Sequence, residues 1–131
     1  MIRPRFSNTG QRMEPLYTMN DGIVYIHDVE VTKSDLGRAI RTLTDNGQKY
    51  FFETLAIAMD DYTLAKNEEV QLTKRIRTLR RDHVNTKQFA RIGSDTYAIW
   101  RVRQTINRQG VEVTDITLRA VREGDYDTQG I

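Results

Sequence analysis

After Pro15 the chain contains no proline, and from Ile23 onward its apolar residues recur mainly at every second position. Those two features constrain the fold more than any others. Proline removes a ladder donor, so its absence lets strands run unbroken. Apolar spacing of two is that of a strand with one face on a core. The run Gly22 to Lys33 alternates Ile23, Tyr25, His27, Val29 and Val31 with Val24, Ile26, Asp28, Glu30 and Thr32. Tyr50-Phe51-Phe52 opens a short aromatic strand. Val70 to Arg81 alternates Val70, Leu72, Ile76 and Thr78, with Lys74 breaking the face. Phe89 to Ile92 leads into Gly93-Ser94-Asp95, a hairpin turn. Thr96 to Ile106 then places Ala98, Trp100, Val102 and Ile106 on one side. Asn107 to Gly110 turns the chain again. The last strand starts on Val111 and Val113 and changes phase to Ile116, Leu118 and Ala120. A phase change of one residue is what a β-bulge produces.

One segment departs from this spacing. Leu55, Ala58, Met59, Tyr62 and Ala65 fall closer to helical intervals. The pattern predicts a short helix over Tyr62 to Asn67, capped by Asp60 or Asp61. Lys33 to Gly37 and Asp45-Asn46-Gly47 carry turn chemistry. One reading of the stretch between them is a plain hairpin, Arg38 to Leu43 pairing with Gln48 to Glu53. The predicted fold class is mainly β, a small β-barrel of about six to seven strands with one short helix. Bulges bend and coil a sheet, which suits such a closure. A length of 131 residues fits a single domain over 1–131. Flexible ends are expected at about 1–10 and at about 122–131.

Composition narrows the function classes. There is no Cys, so no disulfide scaffold and no Cys-ligated metal. No apolar run approaches a membrane span, so no membrane partner is expected. The N-terminus carries Arg3 and Arg5 without an apolar stretch behind them, unlike a signal peptide. His27 and His83 lack metal-site spacing, and no metal or cofactor is predicted. Asp60-Asp61 and Glu68-Glu69 are adjacent pairs whose side chains diverge, unlike facing catalytic carboxyls. No nucleophile elbow, dinucleotide fingerprint or phosphate-binding loop occurs. The chain is therefore expected not to be an enzyme.

The charge is unevenly placed. Residues 1–69 carry 8 Lys/Arg against 11 Asp/Glu, and residues 70–131 carry 12 against 7. Between Lys74 and Arg108 ten basic residues face only Asp82 and Asp95. Alternation sets Arg75, Arg77 and Arg81 on one strand face. Arg101 and Arg103 share the face opposite Trp100 and Val102. If the two strands are neighbours, these arginines form a ladder. Three readings stay open: phosphate binding with strong salt dependence, a solvated face with Arg stems over apolar surface, or pairing with an acidic patch on an identical subunit. The apolar fraction is 38% and the mean hydropathy −0.62. Surface buried against neighbouring copies would supplement so thin a core.

The second half also carries a recognisable order of elements. An aromatic strand, Tyr50-Phe-Phe-Glu-Thr54, precedes Asp61-Tyr-x-x-Ala-Lys66 and a basic strand ending in Ile76-Arg77. Phe89-x-x-Ile-Gly-x-x-x-Tyr-x-Ile99 follows, and the order closes on Ile116-Thr-Leu-Arg-Ala120. Over roughly residues 22–121 this resembles the head–tail joining proteins of long-tailed bacteriophages, also called head-closure or stopper proteins. That family usually carries a Trp-Ala pair near the aromatic strand; here Tyr50-Phe51-Phe52 stands in, and Trp100 lies elsewhere. The resemblance implies a β-barrel with a short helix, assembled as a homo-oligomeric ring, usually a dodecamer. It implies a portal or adaptor ring on the head side and a tail completion or tail terminator protein on the tail side. Packaged double-stranded DNA would occupy the lumen. The place of action would be the virion neck, after assembly in the host cytoplasm. A loop between early strands can project into the lumen and shut it. Its match is Lys33 to Gly47, with candidate gate residues Asp35, Leu36, Gly37, Arg38, Ala39, Ile40 and Arg41. Candidate DNA or subunit contacts are Arg75, Arg77, Arg81, Arg101 and Arg103. The alternative is a small basic β-barrel that binds nucleic acid.

Overall fold

The computed structural model describes residues 19–44, 47–122 and 125–126. The flexible ends expected from the sequence therefore lie mostly outside the described residues. Eight strands and one helix follow in chain order: β1 (Gly22–His27), β2 (Val29–Lys33), β3 (Ala39–Leu43), β4 (Gln48–Leu55), α1 (Met59–Asn67), β5 (Leu72–Leu79), β6 (Phe89–Ile92), β7 (Asp95–Ile106) and β8 (Glu112–Ala120). Six strands close a barrel in the order β1-β4-β5-β8-β7-β6, with β6 returning to β1. The predicted class, mainly β with a small barrel and one helix, is what the chain adopts. The other two strands, β2 and β3, form a separate two-stranded ribbon.

The barrel interior takes one residue in two from each strand. Val24, Ile26, Phe52, Ile76, Ala90, Ile99, Ile116 and Leu118 are buried there, with Val84 from the β5–β6 loop. Each fully buried Ile or Leu contributes about 1.5–3 kcal/mol by leaving water. Gly22 permits close approach at one edge. A Cβ there would lie 3.1 Å from the Phe52 ring.

Three local expectations are corrected. Arg38 to Leu43 does not pair with Gln48 to Glu53. Strand β3 pairs with β2 (Val29 opposite Leu43, Lys33 opposite Ala39), while β4 pairs with β1. The aromatic strand β4 has Phe52 to bury, and β1 offers it the closed core; the short segment Ala39–Leu43, whose residues stay exposed or half-buried, carries no aromatic side chain with such a claim on the barrel. Second, α1 begins at Met59, and its N-cap Ala58 makes no side-chain hydrogen bond. Asp60 and Asp61 sit in the first turn, where the helix dipole favours carboxylates. Third, β8 keeps a regular ladder, and the irregularities fall in its neighbours, between Leu72 and Lys74 and between Ile99 and Arg101. The apolar phase change along β8 has another cause. Val113 to Leu118 are all buried, so both faces of that strand are covered. The Ile99–Arg101 bulge also parts Ala98 and Trp100 from Val102, which alone of the three packs on the core, opposite Ile116. The Trp100 indole Nε1 donates to the Glu68 carboxylate (3.1 Å), and the Arg101 guanidinium lies over the ring.

Candidate functional site

Two regions gather the residues singled out in the sequence. The first is the ribbon. Each of its strands spans five residues, so it reaches about 17 Å beyond its base. Its tip is a tight turn. Ser34 N–H donates to the Arg38 carbonyl (2.8 Å), and Gly37 N–H donates to the Ser34 carbonyl (2.9 Å). Gly37 has φ 83°, a left-handed value that a side chain would resist. Leu36 projects from this turn, 95% exposed beside Asp35. Ala39 and Arg41 are also exposed, and Ile40 is half-buried across from Thr32. The candidate gate residues Asp35 to Arg41 thus form the distal end of the ribbon.

The ribbon's base is pinned at two points. Thr44 N–H donates to the Asp28 carbonyl (2.9 Å), and Asp28 N–H donates to the Thr44 hydroxyl (3.3 Å). The buried His27 ring donates from Nδ1 to the Thr44 carbonyl (2.6 Å). Its Nε2 is buried with no hydrogen-bond partner among the described residues. Gly47 lies against the same ring, where a Cβ would come within 2.8 Å. Sequence reading treated His27 as one member of an alternating face. Its place at the foot of the ribbon depends on Thr44 and Gly47, far along the chain.

The second region is the outer wall formed by β5, β8 and β7. Strands β5 and β7 are not neighbours, as the expected arginine ladder required; both flank β8, and their arginines line up across it. Arg75 and Arg101 stand opposite Thr117, and Arg77 and Arg103 opposite Asp115. The wall is organised by carboxylates. Asp115, its side chain only 2% exposed, accepts from Arg77 Nε (2.7 Å), Arg77 Nη2 (3.0 Å) and Arg75 Nη2 (2.9 Å). Arg101 Nη1 donates to buried Asp61 of α1 (2.7 Å), which fastens the helix to the wall. The Asp115 hydrogen bonds hold the Arg77 guanidinium above its ordinary pKa, against an opposing effect of burial. Arg103 has no ion-pair partner among the described residues. It lines a cleft of roughly 250 Å³ with Arg75, Arg101, Asp60, Asp61 and Asp115.

Arg81 does not share that wall, contrary to simple alternation. Strand β5 ends at Leu79, and the chain then turns. The Arg81 guanidinium lies over the Tyr50 ring, 4.6 Å from its centroid. The residues that organise the wall, Asp61 and Asp115, were not among the sequence candidates. A signal existed for Asp115: it is the one charged residue between Val113 and Leu118. Such a carboxylate in a buried strand needs cationic partners. At the other end of β8, Arg119 makes two hydrogen bonds to Asp125 (2.9 and 3.0 Å), and Tyr126 packs edge-on against Phe89. No group of three or more His, Cys, Asp or Glu side chains converges as a metal site among the described residues. Nor is any helix there long and apolar enough to cross a membrane.

Comparisons with known proteins follow the fold. No family model matches the chain, and no curated protein matches its sequence. Among solved structures it is similar to protein SF1141 from Shigella flexneri 2a, with a TM-score of 0.52 and 13% identity. That match covers 79% of this chain and 95% of the other. A chain in the virion of a native gene transfer agent particle aligns with a TM-score of 0.47 and 13% identity, over 76% of this chain and 92% of its own. At such identity the first likeness speaks to the fold alone.

Proposed function

We propose that this chain is a structural protein of a tailed-phage virion, a subunit of the head-closure ring between portal or adaptor and tail. The observation that carries the reading is the ribbon Val29–Leu43. It stands apart from a closed barrel, is pinned at its foot by Asp28, His27 and Thr44, and includes most of the stretch Lys33 to Gly47 that the resemblance matches to a gate loop. Closing six strands into a barrel leaves no open edge there, so the body of the subunit is a rigid block. A rigid block with one slender arm suits a ring whose arms converge on a central channel. In this reading identical copies, twelve in the usual arrangement, place Asp35 to Arg41 toward packaged double-stranded DNA. The head-side face meets the portal or adaptor ring, and the other face meets a tail completion or terminator protein. The ring acts in the virion neck after assembly in the host cytoplasm. The chain acts by contact and needs no cofactor or catalytic centre.

The reading is tested on particles. Electron microscopy of purified virions should place the chain as a ring at the neck. Replacing Thr32–Ile40 by a two-residue Asn-Gly turn should leave heads that assemble but lose DNA. Absence of the chain from purified particles, together with a monomer in solution at all concentrations, sinks the proposal.

A further inference from the structure

Among the described residues, two exposed apolar surfaces lie outside both the barrel core and the ribbon and each carries a charged neighbour. One is a groove of about 580 Å³ on the outside of β1, β4 and β5, lined by Met19, Ile23, Phe51, Leu79 and Arg81. Register explains how it forms. Ile23 stands opposite Phe51, and two residues before the Glu53–Arg77 pair the same β4 face brings Phe51 beside Leu79. Phe51 is 59% exposed and Leu79 38%. Arg81 at the rim is unusual. Its Nε is buried with no hydrogen-bond partner, and no carboxylate pairs with it among the described residues. An apolar groove with an unpaired cation at its rim fits an apolar side chain with a carboxylate beside it.

The second surface supplies that pair. Helix α1 turns Asp61 and Ala65 toward the barrel. Its first turn therefore presents Met59 outward, 77% exposed, with Tyr62 three residues on, 49% exposed. Asp60, next to Met59 and at the edge of the cleft that Arg103 lines, is exposed and has no hydrogen-bond or ion-pair partner among the described residues. The helix sits on the β5–β8–β7 side through Asp61 and Arg101, while the groove spans β1, β4 and β5. The two surfaces are thus different patches of one molecule. A contact between them is heterologous: each copy offers its helix to one neighbour and its groove to the other, and the series closes as a ring or continues as a filament.

We infer that the N-terminal turn of α1 in one copy docks in the Met19–Ile23–Phe51–Leu79 groove of the next, with Met59 as the apolar plug and Asp60 paired to Arg81. The inference rests on the ring reading and names the contact that builds it. Apolar burial supplies adhesion, while the Asp60–Arg81 pair fixes orientation. It also gives Arg81 an acceptor that the described residues of its own chain do not provide.

The absence of cysteine makes the test direct. Under mild oxidation F51C/M59C should give a ladder of covalent multimers. F51C and M59C alone should stay monomeric, and mixed they should stop at dimers. R81E should weaken self-association about tenfold or more, and D60R/R81E should restore it. Disulfide dimers of F51C alone overturn the proposal, because the groove then faces its own copy. Closure of L16C/F51C within one chain, with no F51C/M59C ladder, also overturns it, by assigning the groove to the chain's own N-terminal segment. A missing ladder in samples where native mass spectrometry shows multimers removes this contact and leaves the ring standing. A chain monomeric throughout and absent from particles removes both.

Discussion

Substituting Asp115→Asn isolates the interaction on which the arginine wall depends. The change keeps the shape and removes the charge. Asp115 accepts three charge-assisted hydrogen bonds at 2.7, 2.9 and 3.0 Å, and its side chain is 2% exposed. Each such bond contributes about 1.5–3 kcal/mol. The side chains of Arg75 and Arg77 are 21% and 20% exposed, so water recovers part of that loss. The residual cost is that of two partly buried guanidinium groups without an anion, about 3 kcal/mol. For a domain of this size that lowers Tm by roughly 10 °C. Urea and thermal unfolding of D115N, R77Q and the double variant give the coupling between the two groups. The apolar replacement R75L/R77M/D115L should be close to neutral, since desolvating the ions offsets much of their attraction. If D115N costs less than about 1 kcal/mol, the carboxylate does not organise this wall and the reasoning fails.

Gly47→Ala should cost about 1–3 kcal/mol, because its Cβ would meet the His27 ring at 2.8 Å; adding His27→Ala should recover most of the loss in thermal melts. Burial pushes the Asp125 carboxyl up, but hydrogen bonds from Arg119 and the Arg122 backbone outweigh it and hold its pKa below the ordinary range. Its contribution is therefore full above about pH 4 and fades as pH falls through the lower folded-state value. A urea-unfolding series should show wild type and D125N converging only on the acid side. Replacing Thr32–Ile40 by an Asn-Gly turn should leave barrel stability within about 1 kcal/mol in the same assay, because the ribbon's ladder is internal to itself.

The barrel was legible because β-structure writes itself locally. Residues with period two gave the strands, and Gly93 and Gly110, with φ 63° and 82°, marked the turns. Pairing was less legible. Asp45-Asn46-Gly47 reads as a hairpin turn on its own, yet it joins strands that pair with other partners. The choice was decided by Phe52, which needs the closed core and finds it beside Gly22. Alternation put Arg75 with Arg77 and Arg101 with Arg103, but their strands are not neighbours: β8 lies between them and brings both pairs onto one wall. Its carboxylates did not, because Asp61 reaches the wall from a helix forty residues before Arg101. Arg81 shows the limit of alternation: parity holds only while the strand does, and β5 stops at Leu79.

These pairings change what the basic stretch can do. In sequence, Lys74 to Arg108 carries ten basic residues against two acidic ones. In space, Asp61, Glu112 and Asp115, all outside that stretch, pair with Arg101, Arg80, Arg75 and Arg77. A charge count by window therefore overstates the field at this wall. The difference is measurable. A module gripping duplex DNA through Arg75, Arg77, Arg101 and Arg103 would show log K falling with log salt at a slope of about −3.6. With three of the four committed to carboxylates, Arg103 alone is available, and the slope attributable to the wall should be about −0.9. Comparing wild type with R75Q/R77Q separates the cases by fluorescence anisotropy across a salt series. A slope near −3.6 that collapses in the variant means the arginines leave Asp115 for phosphate. An unchanged, shallow slope leaves the wall as the framework that holds α1 in place.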